Sequence, residues 1–269
     1  MDNNQKPNQS FSKENWQHNI AKYMFDYIFL NDELFWKEIE IEAKLGKVLF
    51  EGKCEQIYSK ISYPFLISGK FRNTKDNFIT FDAGVSKESF LCLFEEIKKE
   101  FSDKKEKIIG PISSCDYDGK GYRKSVINND TVEVIKKMNK TNYDIRNCGS
   151  DIRFSILREK KYDANKEIRM SGYVREKTRI SFWYENYVLD FTVVNSHRNK
   201  ESQGQKFEIE LEFFKLRENP FLFKENFSLF EKTIKEMYER VSEFYTIIQN
   251  KEKNIECSNI SELLKNFNC

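Results

Sequence analysis

The residues best suited to chemistry lie in a run of seven in which acidic and apolar side chains alternate without a break. The run is Phe207-Glu208-Ile209-Glu210-Leu211-Glu212-Phe213. As a β-strand it places three carboxylates on one face, with neighbours about 6.5–7 Å apart. Such neighbours repel by about 2 kcal/mol per pair at an effective dielectric constant near 20. A metal ion or a set of Lys and Arg side chains should therefore face them.

An ordinary solvated strand face is the alternative interpretation of this run. Asp and Glu account for 43 of the 269 residues. At that frequency, three acids at alternate positions arise by chance about once in a chain of this length. The run therefore gains functional meaning only from other charged strands.

Three further segments repeat the alternation. The segment 37–46 places Glu38, Glu40, Glu42 and Lys44 on one face and Ile39, Ile41, Ala43 and Leu45 on the other. The segments 177–184 and 187–194 flank a two-residue turn, Glu185-Asn186, and so predict a hairpin. This turn pairs Ser181 with Asp190 and Arg179 with Thr192, and the charged face of the hairpin is mainly basic.

The segregation of acids and bases onto separate strands predicts a closed sheet whose charged faces look at one another. The apolar faces would then point outward and need a cover. Apolar residues at helical spacing predict three helices that could supply it, at 15–30, 86–101 and 227–248. A sheet with one charged face in solvent remains the alternative.

Other strands are predicted between 121 and 175. Residues 121–127 and 131–138 form a hairpin in which Arg123 lies opposite Lys136 if Asn129-Asp130 is a two-residue loop. Segment 151–159 alternates Asp151, Arg153, Ser155, Leu157 and Glu159 on one face, and 168–175 is a further candidate. Short strands are expected at 63–67 and 78–82, and a short helix at 258–267.

Composition excludes several classes of site. A formal charge of +2, from 45 Lys and Arg against 43 Asp and Glu, does not indicate a protein that coats a nucleic-acid duplex. Six cysteines without a C-x-x-C pair argue against zinc, and two histidines argue against a histidine triad. A metal ion here would be held by oxygen, which favours Mg²⁺ or Mn²⁺. We expect an intracellular protein without a signal peptide or membrane span.

Taken in order, four of these motifs resemble the metal-dependent RNA 5′-triphosphatases, the tunnel-type capping enzymes of fungi, protozoa and large DNA viruses. The motifs are Glu40-Ile41-Glu42-Ala43-Lys44, Lys177-Thr178-Arg179-Ile180-Ser181, Asp190-Phe191-Thr192 and Glu208-Ile209-Glu210-Leu211-Glu212. Asp151–Glu159 and Tyr122-Arg123 followed by Lys136-Lys137 also resemble family strands. The likeness covers about 37–215, whereas 52–83 matches no family segment.

The resemblance implies an α+β fold, an eight-stranded antiparallel barrel around a polar triphosphate tunnel, with helices outside. The implied organisation is a disordered tail at 1–14 and a single domain at 15–269. Within this domain the barrel would span about 37–215 between the N-terminal and C-terminal helices.

The resemblance also assigns roles to individual residues. Glu40, Glu42 and Glu212 would ligate the divalent metal, Mg²⁺ or Mn²⁺. Glu159 would position the attacking water, and Glu208 and Glu210 would hold metal-bound water or orient neighbouring bases. Phosphate oxygens would be bound by Arg123, Lys136, Arg153, Lys177 and Arg179, supported by Asp190 and Ser181. Three of these assignments carry alternatives. Lys137 could replace Lys136, depending on the turn register, Arg153 could be a wall residue, and Glu208 could be a rim residue.

The implied activity is hydrolysis of the γ-phosphate from the 5′-triphosphate end of RNA, the first step of capping. Hydrolysis of inorganic or small organic triphosphates, and a non-catalytic polyphosphate-binding barrel, are the alternatives. The guanylyltransferase motif K-x-D-G is absent, because Asp116 stands where its Lys should be before Asp118-Gly119. We therefore expect a separate guanylyltransferase subunit, and also a homodimer. The expected location is the nucleus, or the cytoplasm or virion for a viral protein.

Overall fold

A computed structural model describes residues 16–31, 33–50, 65–68, 79–119, 122–127, 131–146, 150–163 and 172–251. The predicted tail at 1–14, the helix at 258–267 and most of 52–78 lie outside these ranges. The helices are α1 (Trp16–Phe29), α2 (Glu33–Lys37), α3 (Lys87–Glu100), α4 (Phe214–Glu218), α5 (Pro220–Glu225) and α6 (Phe227–Lys251), with a 3-10 turn at Lys105–Lys107. The strands are β1 (Ile39–Phe50), β2 (Phe65–Ser68), β3 (Ile79–Ala83), β4 (Ile108–Gly119), β5 (Tyr122–Ile127), β6 (Thr131–Arg146), β7 (Asp151–Tyr162), β8 (Tyr173–Trp183), β9 (Val188–Arg198) and β10 (Glu201–Glu212).

Eight of the strands close into an antiparallel barrel. The order is β10-β9-β8-β4-β5-β6-β7-β1, and β1 pairs again with β10. Closure runs through Glu42 opposite Glu212, Ala43 opposite Leu211 and Lys44 opposite Glu210. The two remaining strands lie outside the ring, where β2 pairs with β6 and β3 with the far end of β1. The predicted eight-stranded barrel is therefore confirmed.

The two predicted hairpins have different outcomes. In β8–β9, Ser181 lies opposite Asp190 and Arg179 opposite Thr192, as the sequence predicts. In β5–β6, the predicted pairing of Arg123 with Lys136 is wrong, because Tyr122 is opposite Lys136. Strand pairing here ends with Ile127 opposite Thr131, so the connection has three residues, 128–130, instead of two. A one-residue slip moves every side chain to the other face of a strand.

The hydrophobic core lies outside the barrel wall, between the apolar strand faces and the helices. The apolar faces of β1 and β10 are at most 1% exposed at Ile39, Ile41, Ala43, Ile209 and Leu211. Helix α3 begins after Ser86, whose hydroxyl accepts the Ser89 backbone N–H. The cover is supplied by α1, α3 and α6, the three helices that the apolar spacing predicts. None of the described helices is long and apolar enough to span a membrane.

Phe191 of β9 sits at the centre of an aromatic cluster that joins the barrel to α3. Its ring lies 5.3 Å from Phe90 and Phe94 and 5.7 Å from Phe182, in edge-to-face arrangements. Its chain neighbours, Asp190 and Thr192, point the other way into the barrel. The cluster therefore fixes the position of two polar residues that line the interior.

Replacing Phe191 with Ala should lower the free energy of unfolding by about 3–5 kcal/mol, because it leaves a cavity in a packed core. Leu30, 85% exposed at the end of α1, is the matched control. Leu30→Ala should change stability by less than about 0.5 kcal/mol. Urea denaturation of both variants measures the difference, and equal small losses would show that α3 does not pack on β9 as described.

Candidate active site

The barrel interior is a polar cavity of about 530 Å³. Its lining includes nine carboxylates: Glu40, Glu42, Asp116, Glu133, Glu159, Asp190, Glu208, Glu210 and Glu212. It also includes eight cations: Lys44, Arg123, Lys137, Lys161, Arg175, Lys177, Arg179 and Arg217. The two signs nearly balance within the tunnel, as they do in the whole chain.

The acidic wall is formed where β1 meets β10. Glu42 lies directly opposite Glu212 across the closure. Lys44, on the same face of β1, bridges this wall, with its Nζ 2.6 Å from Glu210 and 3.1 Å from Glu42. Arg217 of α4 reaches in from outside the barrel and pairs with Glu212. The carboxylates thus sit close together because cations from their own chain hold them there.

The basic wall is formed by β8, and each of its cations has an acidic partner. Arg179 pairs with Asp190 at 2.7 Å, and its Nε donates to Thr192 at 3.1 Å. Ser181 donates to the other oxygen of Asp190 at 2.6 Å. This network fixes the guanidinium plane of Arg179 toward the tunnel.

Each of the other two β8 cations forms an ion pair that the sequence did not predict. Lys177 contacts the buried Asp116 of β4, and Arg175 binds both oxygens of Glu208 at 2.7 and 2.8 Å. Asp116 also accepts from Ser125 at 2.5 Å. Alternation along β8 could have revealed Arg175, since it shares a face with Lys177. No strand was predicted over 108–119, so nothing marked Asp116.

A third group lies where β5, β6 and β7 meet. Lys137 is 2.8 Å from Glu159 and 3.3 Å from Glu40, and Arg123 is 3.6 Å from Glu159. The Nε of Arg123 is buried without a hydrogen-bond partner. A buried donor left unsatisfied is costly. An entering anionic oxygen would relieve that cost.

The structure corrects two of the sequence-based site assignments. Lys136 points to the outside of the barrel, where its Nζ lies 5.0 Å from the Tyr122 ring, and Lys137 occupies the tunnel position. The cause is the one-residue slip in the β5–β6 hairpin. Arg153 is held by Asp144 at 2.5 and 2.7 Å, rests 4.6 Å from the Phe81 ring and does not line the cavity. It is a wall residue.

The remaining predicted site residues are brought together in one cavity. They are Glu40, Glu42, Arg123, Glu159, Lys177, Arg179, Ser181, Asp190, Glu208, Glu210 and Glu212. Sequence reasoning gave Lys44 no role and missed Arg217. Lys44 shares the face of Glu40 and Glu42, so alternation carries its signal. Arg217 follows the last strand on a short helix and has no such signal.

Two of the acids are held ionised by their neighbours. Burial alone would raise the pKa of Glu210, but Lys44 and Arg179 outweigh burial and hold that pKa far below its usual range. Burial also opposes ionisation of Glu159, yet Lys137 and a hydrogen bond from Glu40 lower its pKa to about 2. Both groups are therefore fixed anions at neutral pH.

Two other acids have too little positive charge near them to offset the effect of burial on their pKa values. Burial raises the pKa of Glu40 well above its usual value, because Lys137 offsets burial only in part and Glu42 and Glu159 add like charge. Burial likewise raises the pKa of Glu212 against the lowering effect of Arg217. An additional cation in this wall would favour the ionised form of both.

A closed barrel in which a wall of cations and a wall of hard oxygen donors line one polar tunnel defines a tunnel-type phosphohydrolase. The comparisons with known proteins agree. The family described as "mRNA capping enzyme, beta chain" matches residues 10–254, so the chain belongs to that family. It is accordingly an RNA 5′-triphosphatase of the mRNA capping pathway.

Two solved structures of one S. pombe protein support the fold. The S. pombe Pct1 RNA triphosphatase is 17% identical with a TM-score of 0.69, covering 85% of this chain and 91% of that one. Pct1 in complex with the Spt5 CTD gives 19% identity and a TM-score of 0.68 over the same shares. The Mimivirus capping enzyme triphosphatase is 16% identical with a TM-score of 0.49, covering 88% and 98%. No curated relative matches the sequence.

The corrected register of the β5–β6 hairpin makes a direct prediction. Lys137→Gln should lower the rate of tripolyphosphate hydrolysis by at least about 100-fold, because it removes a cation aimed at developing negative charge. Lys136→Gln is the matched control on the adjacent residue and should retain the wild-type rate. A large loss in Lys136→Gln together with a wild-type rate in Lys137→Gln would show that Lys136 lies in the tunnel, as the two-residue loop predicts.

We predict that the reaction depends on pH on the alkaline side through Lys177. Burial lowers its pKa to about 8, against the raising effect of Asp116. The side chain is therefore a cation below that pH and becomes neutral as pH rises through it. We expect kcat/KM, which reports the free enzyme, to fall with a midpoint near 8.

A Lys177→Arg variant tests the origin of this alkaline limb. Guanidinium keeps its proton throughout the range, so the limb should disappear even where the absolute rate is lower. The pH profiles of kcat/KM for the two proteins provide the comparison. An unchanged limb in the variant would mean that another group titrates there.

Proposed function

We propose that the tunnel binds the 5′-triphosphate of RNA between its two walls and directs hydrolysis of the γ-phosphate with a divalent metal ion. The observation that carries this proposal is that an acidic wall on β1 and β10 and a basic wall on β8 line the same tunnel, with only β9 between β10 and β8. Phosphoryl transfer leaves charge on the equatorial oxygens, so catalysis depends mainly on positioning and electrostatic stabilisation. A triphosphate needs cations along its length and a metal site at its reacting end.

The family is of the metal-dependent type. Glu40, Glu42 and Glu212 are the proposed ligands of Mg²⁺ or Mn²⁺ here. They fit because hard cations prefer carboxylate oxygens, because Glu42 and Glu212 are opposite one another, and because Glu40 and Glu212 lack full charge compensation. When bound, the ion supplies Lewis acidity to a phosphoryl oxygen.

Metal binding would require these carboxylates to exchange partners. Among the described residues, no three His, Cys, Asp or Glu side chains already form a ligand cluster. Glu40 is held by Lys137 and Glu212 by Arg217. Both cations are then free to turn toward phosphate oxygens, so the same movement prepares both halves of the site.

The phosphate grip is assigned to Arg123, Lys137, Lys177 and Arg179. They reach the tunnel from β5, β6 and β8, and each has an acidic partner that fixes its direction. The bidentate geometry of guanidinium suits Arg179 to two oxygens of one phosphate. Asp190 and Ser181 keep it in place.

Glu159 is assigned to the attacking water. With its pKa near 2 it is a poor proton acceptor at neutral pH, so its contribution is orientation through a hydrogen bond. Glu210 and Glu208 anchor cations, Lys44 and Arg175 respectively, at 2.6 and 2.7 Å. These two acids support the site without touching the reacting phosphate.

The partners of the reaction remain part of the proposal. Transfer of the cap nucleotide is assigned to a separate guanylyltransferase subunit, because the family of this chain is described as the beta chain of the capping enzyme. A homodimer and a nuclear location remain expectations that rest on the resemblance to the capping enzymes. Hydrolysis of free triphosphate by the same site is the second candidate, since every assigned contact is to phosphate.

The metal site is tested with Glu40→Gln, Glu42→Gln and Glu212→Gln, using Glu185→Gln in the exposed β8–β9 turn as control. Each tunnel variant should lose at least about 100-fold in phosphate release from γ-labelled RNA with Mg²⁺ or Mn²⁺, because a hard anionic ligand is lost. EDTA should abolish release by the wild type. Retained activity in all three variants would end the metal assignment.

A stability measurement on Glu40→Gln separates ligand loss from unfolding. A carboxyl whose folded pKa is raised destabilises the fold at pH values above its unfolded pKa, and Gln removes this penalty. The metal-free melting temperature of Glu40→Gln at pH 7 should therefore equal or exceed that of the wild type. Mg²⁺ should raise the melting temperature of the wild type more than that of the variant.

A further inference from the structure

The outer surface of the barrel over β5, β6 and β7 carries a patch that the tunnel chemistry does not use. We define the tyrosine–lysine patch as Tyr122, Lys124, Lys136, Lys160 and Tyr162. Two cross-strand rows build it. One row is Tyr122, Lys136 and Lys160, and the next is Lys124, Val134 and Tyr162. All face outward, because their chain neighbours Arg123, Lys137, Glu159 and Lys161 line the tunnel.

The two tyrosines meet over the central strand. Their ring centroids are 5.4 Å apart in an edge-to-face arrangement, although they belong to β5 and β7. Val134 lies between those strands on the outward face and is 0% exposed. The rings therefore form an aromatic platform at the surface that shields an apolar floor.

The lysines of the patch lack acidic partners in the described part of the chain. Lys136 is directly opposite Lys160, and like charges facing each other across strands are destabilising. Their recorded contacts are with rings: Lys136 lies 5.0 Å from Tyr122, and Lys160 lies 5.6 Å from Tyr162. Every cation of the tunnel, by contrast, is paired with a carboxylate. A polyanion on this surface would remove the repulsion.

The patch is continuous with the rim of the tunnel. Lys161, 73% exposed, lies between Lys160 and Tyr162 in sequence, and it lines the cavity while pairing with Glu133 at 2.7 Å. Farther along β7 from the rim, Arg158 forms an ion pair with Glu38 at 2.5 Å and lies over the Phe35 ring. The unpaired charge therefore begins next to the tunnel opening.

We propose that the tyrosine–lysine patch binds the RNA segment that follows the 5′-triphosphate. Single-stranded RNA is recognised by aromatic faces combined with cations that follow its backbone, and the patch offers both at the tunnel rim. The inference rests on the proposed function, in which the triphosphate occupies the tunnel. The patch adds a contact that free triphosphate cannot make, and this contact gives the enzyme a preference for RNA.

The test uses the double variant Lys136→Gln/Lys160→Gln in the full chain. KM for a triphosphate-ended RNA oligonucleotide should rise several-fold, while the rate on inorganic tripolyphosphate stays at the wild-type value. Two lost phosphate contacts should also reduce the slope of log affinity against log salt by about 1.4, at about 0.7 per contact for single strands. Lys104→Gln/Lys105→Gln, two exposed lysines at the 3-10 turn, is the charge-matched control and should behave as wild type.

A second measurement does not depend on catalysis. Fluorescence anisotropy with a 5′-hydroxyl RNA oligonucleotide should show binding by the wild type, weaker binding by the patch variant and recovery in Lys136→Arg/Lys160→Arg. Because this probe has no triphosphate, it reports the patch even if the assigned hydrolysis fails. Thermal melting confirms that the variants are folded.

Several results would overturn the inference. Equal losses on RNA and tripolyphosphate would place the effect in the tunnel, and no loss on either would remove the patch from substrate binding. An equal rise in KM for RNA in the control variant would show that RNA responds only to the net charge of the protein and not to the patch. Loss of binding to a poly-Glu peptide with unchanged RNA affinity would assign the patch to an acidic protein instead.

Discussion

The neutralisation of buried charge is the constraint on which this structure depends. Moving one carboxylate or ammonium from water to a low-dielectric interior costs of the order of 20 kcal/mol in the idealised limit, and several kcal/mol after relaxation. Nine carboxylates and eight cations line the tunnel, and their pairing offsets that cost. Lys44 at 2.6 Å from Glu210 and Arg179 at 2.7 Å from Asp190 are therefore structural contacts as well as parts of the site.

The same pairing accounts for the chemistry. Lys177 and Arg179, held by Asp116 and Asp190, do not need to reorganise when a triphosphate enters, which is the condition for effective electrostatic catalysis. The tunnel is nearly neutral before substrate arrives. A divalent cation and a polyanionic substrate are expected to enter as opposite charges, so the balance is kept while individual partners are exchanged. The groups placed to exchange are Glu40 with Lys137 and Glu212 with Arg217.

Charging the inside of a barrel inverts the usual arrangement of a sheet protein. The apolar faces of β1, β8, β9 and β10 point outward, and the hydrophobic core lies between barrel and helices. Each strand thus carries one face of the core and one face of the site. Phe191 shows the coupling, because it packs against Phe90 and Phe94 of α3 while the adjacent Asp190 lines the tunnel. Precision in the site comes from the rigidity of this outer core.

The sequence by itself determined which faces are charged, because strand alternation has a period of two and the acids and bases occupy different strands. It therefore predicted the barrel, the covering helices, the β8–β9 register and the charged interior. It could not determine features that depend on a connection length or on contacts distant in the chain. The three-residue β5–β6 connection moved Lys137 into the tunnel and Lys136 to the surface. Arg153 forms an ion pair with Asp144 outside the tunnel. Asp116 of β4 and Arg217 of α4 lie in the tunnel. These outcomes were decided only by tertiary structure, because barrel closure joins β1 to β10 across more than half of the chain and neutralises each buried charge with whichever partner lies within reach.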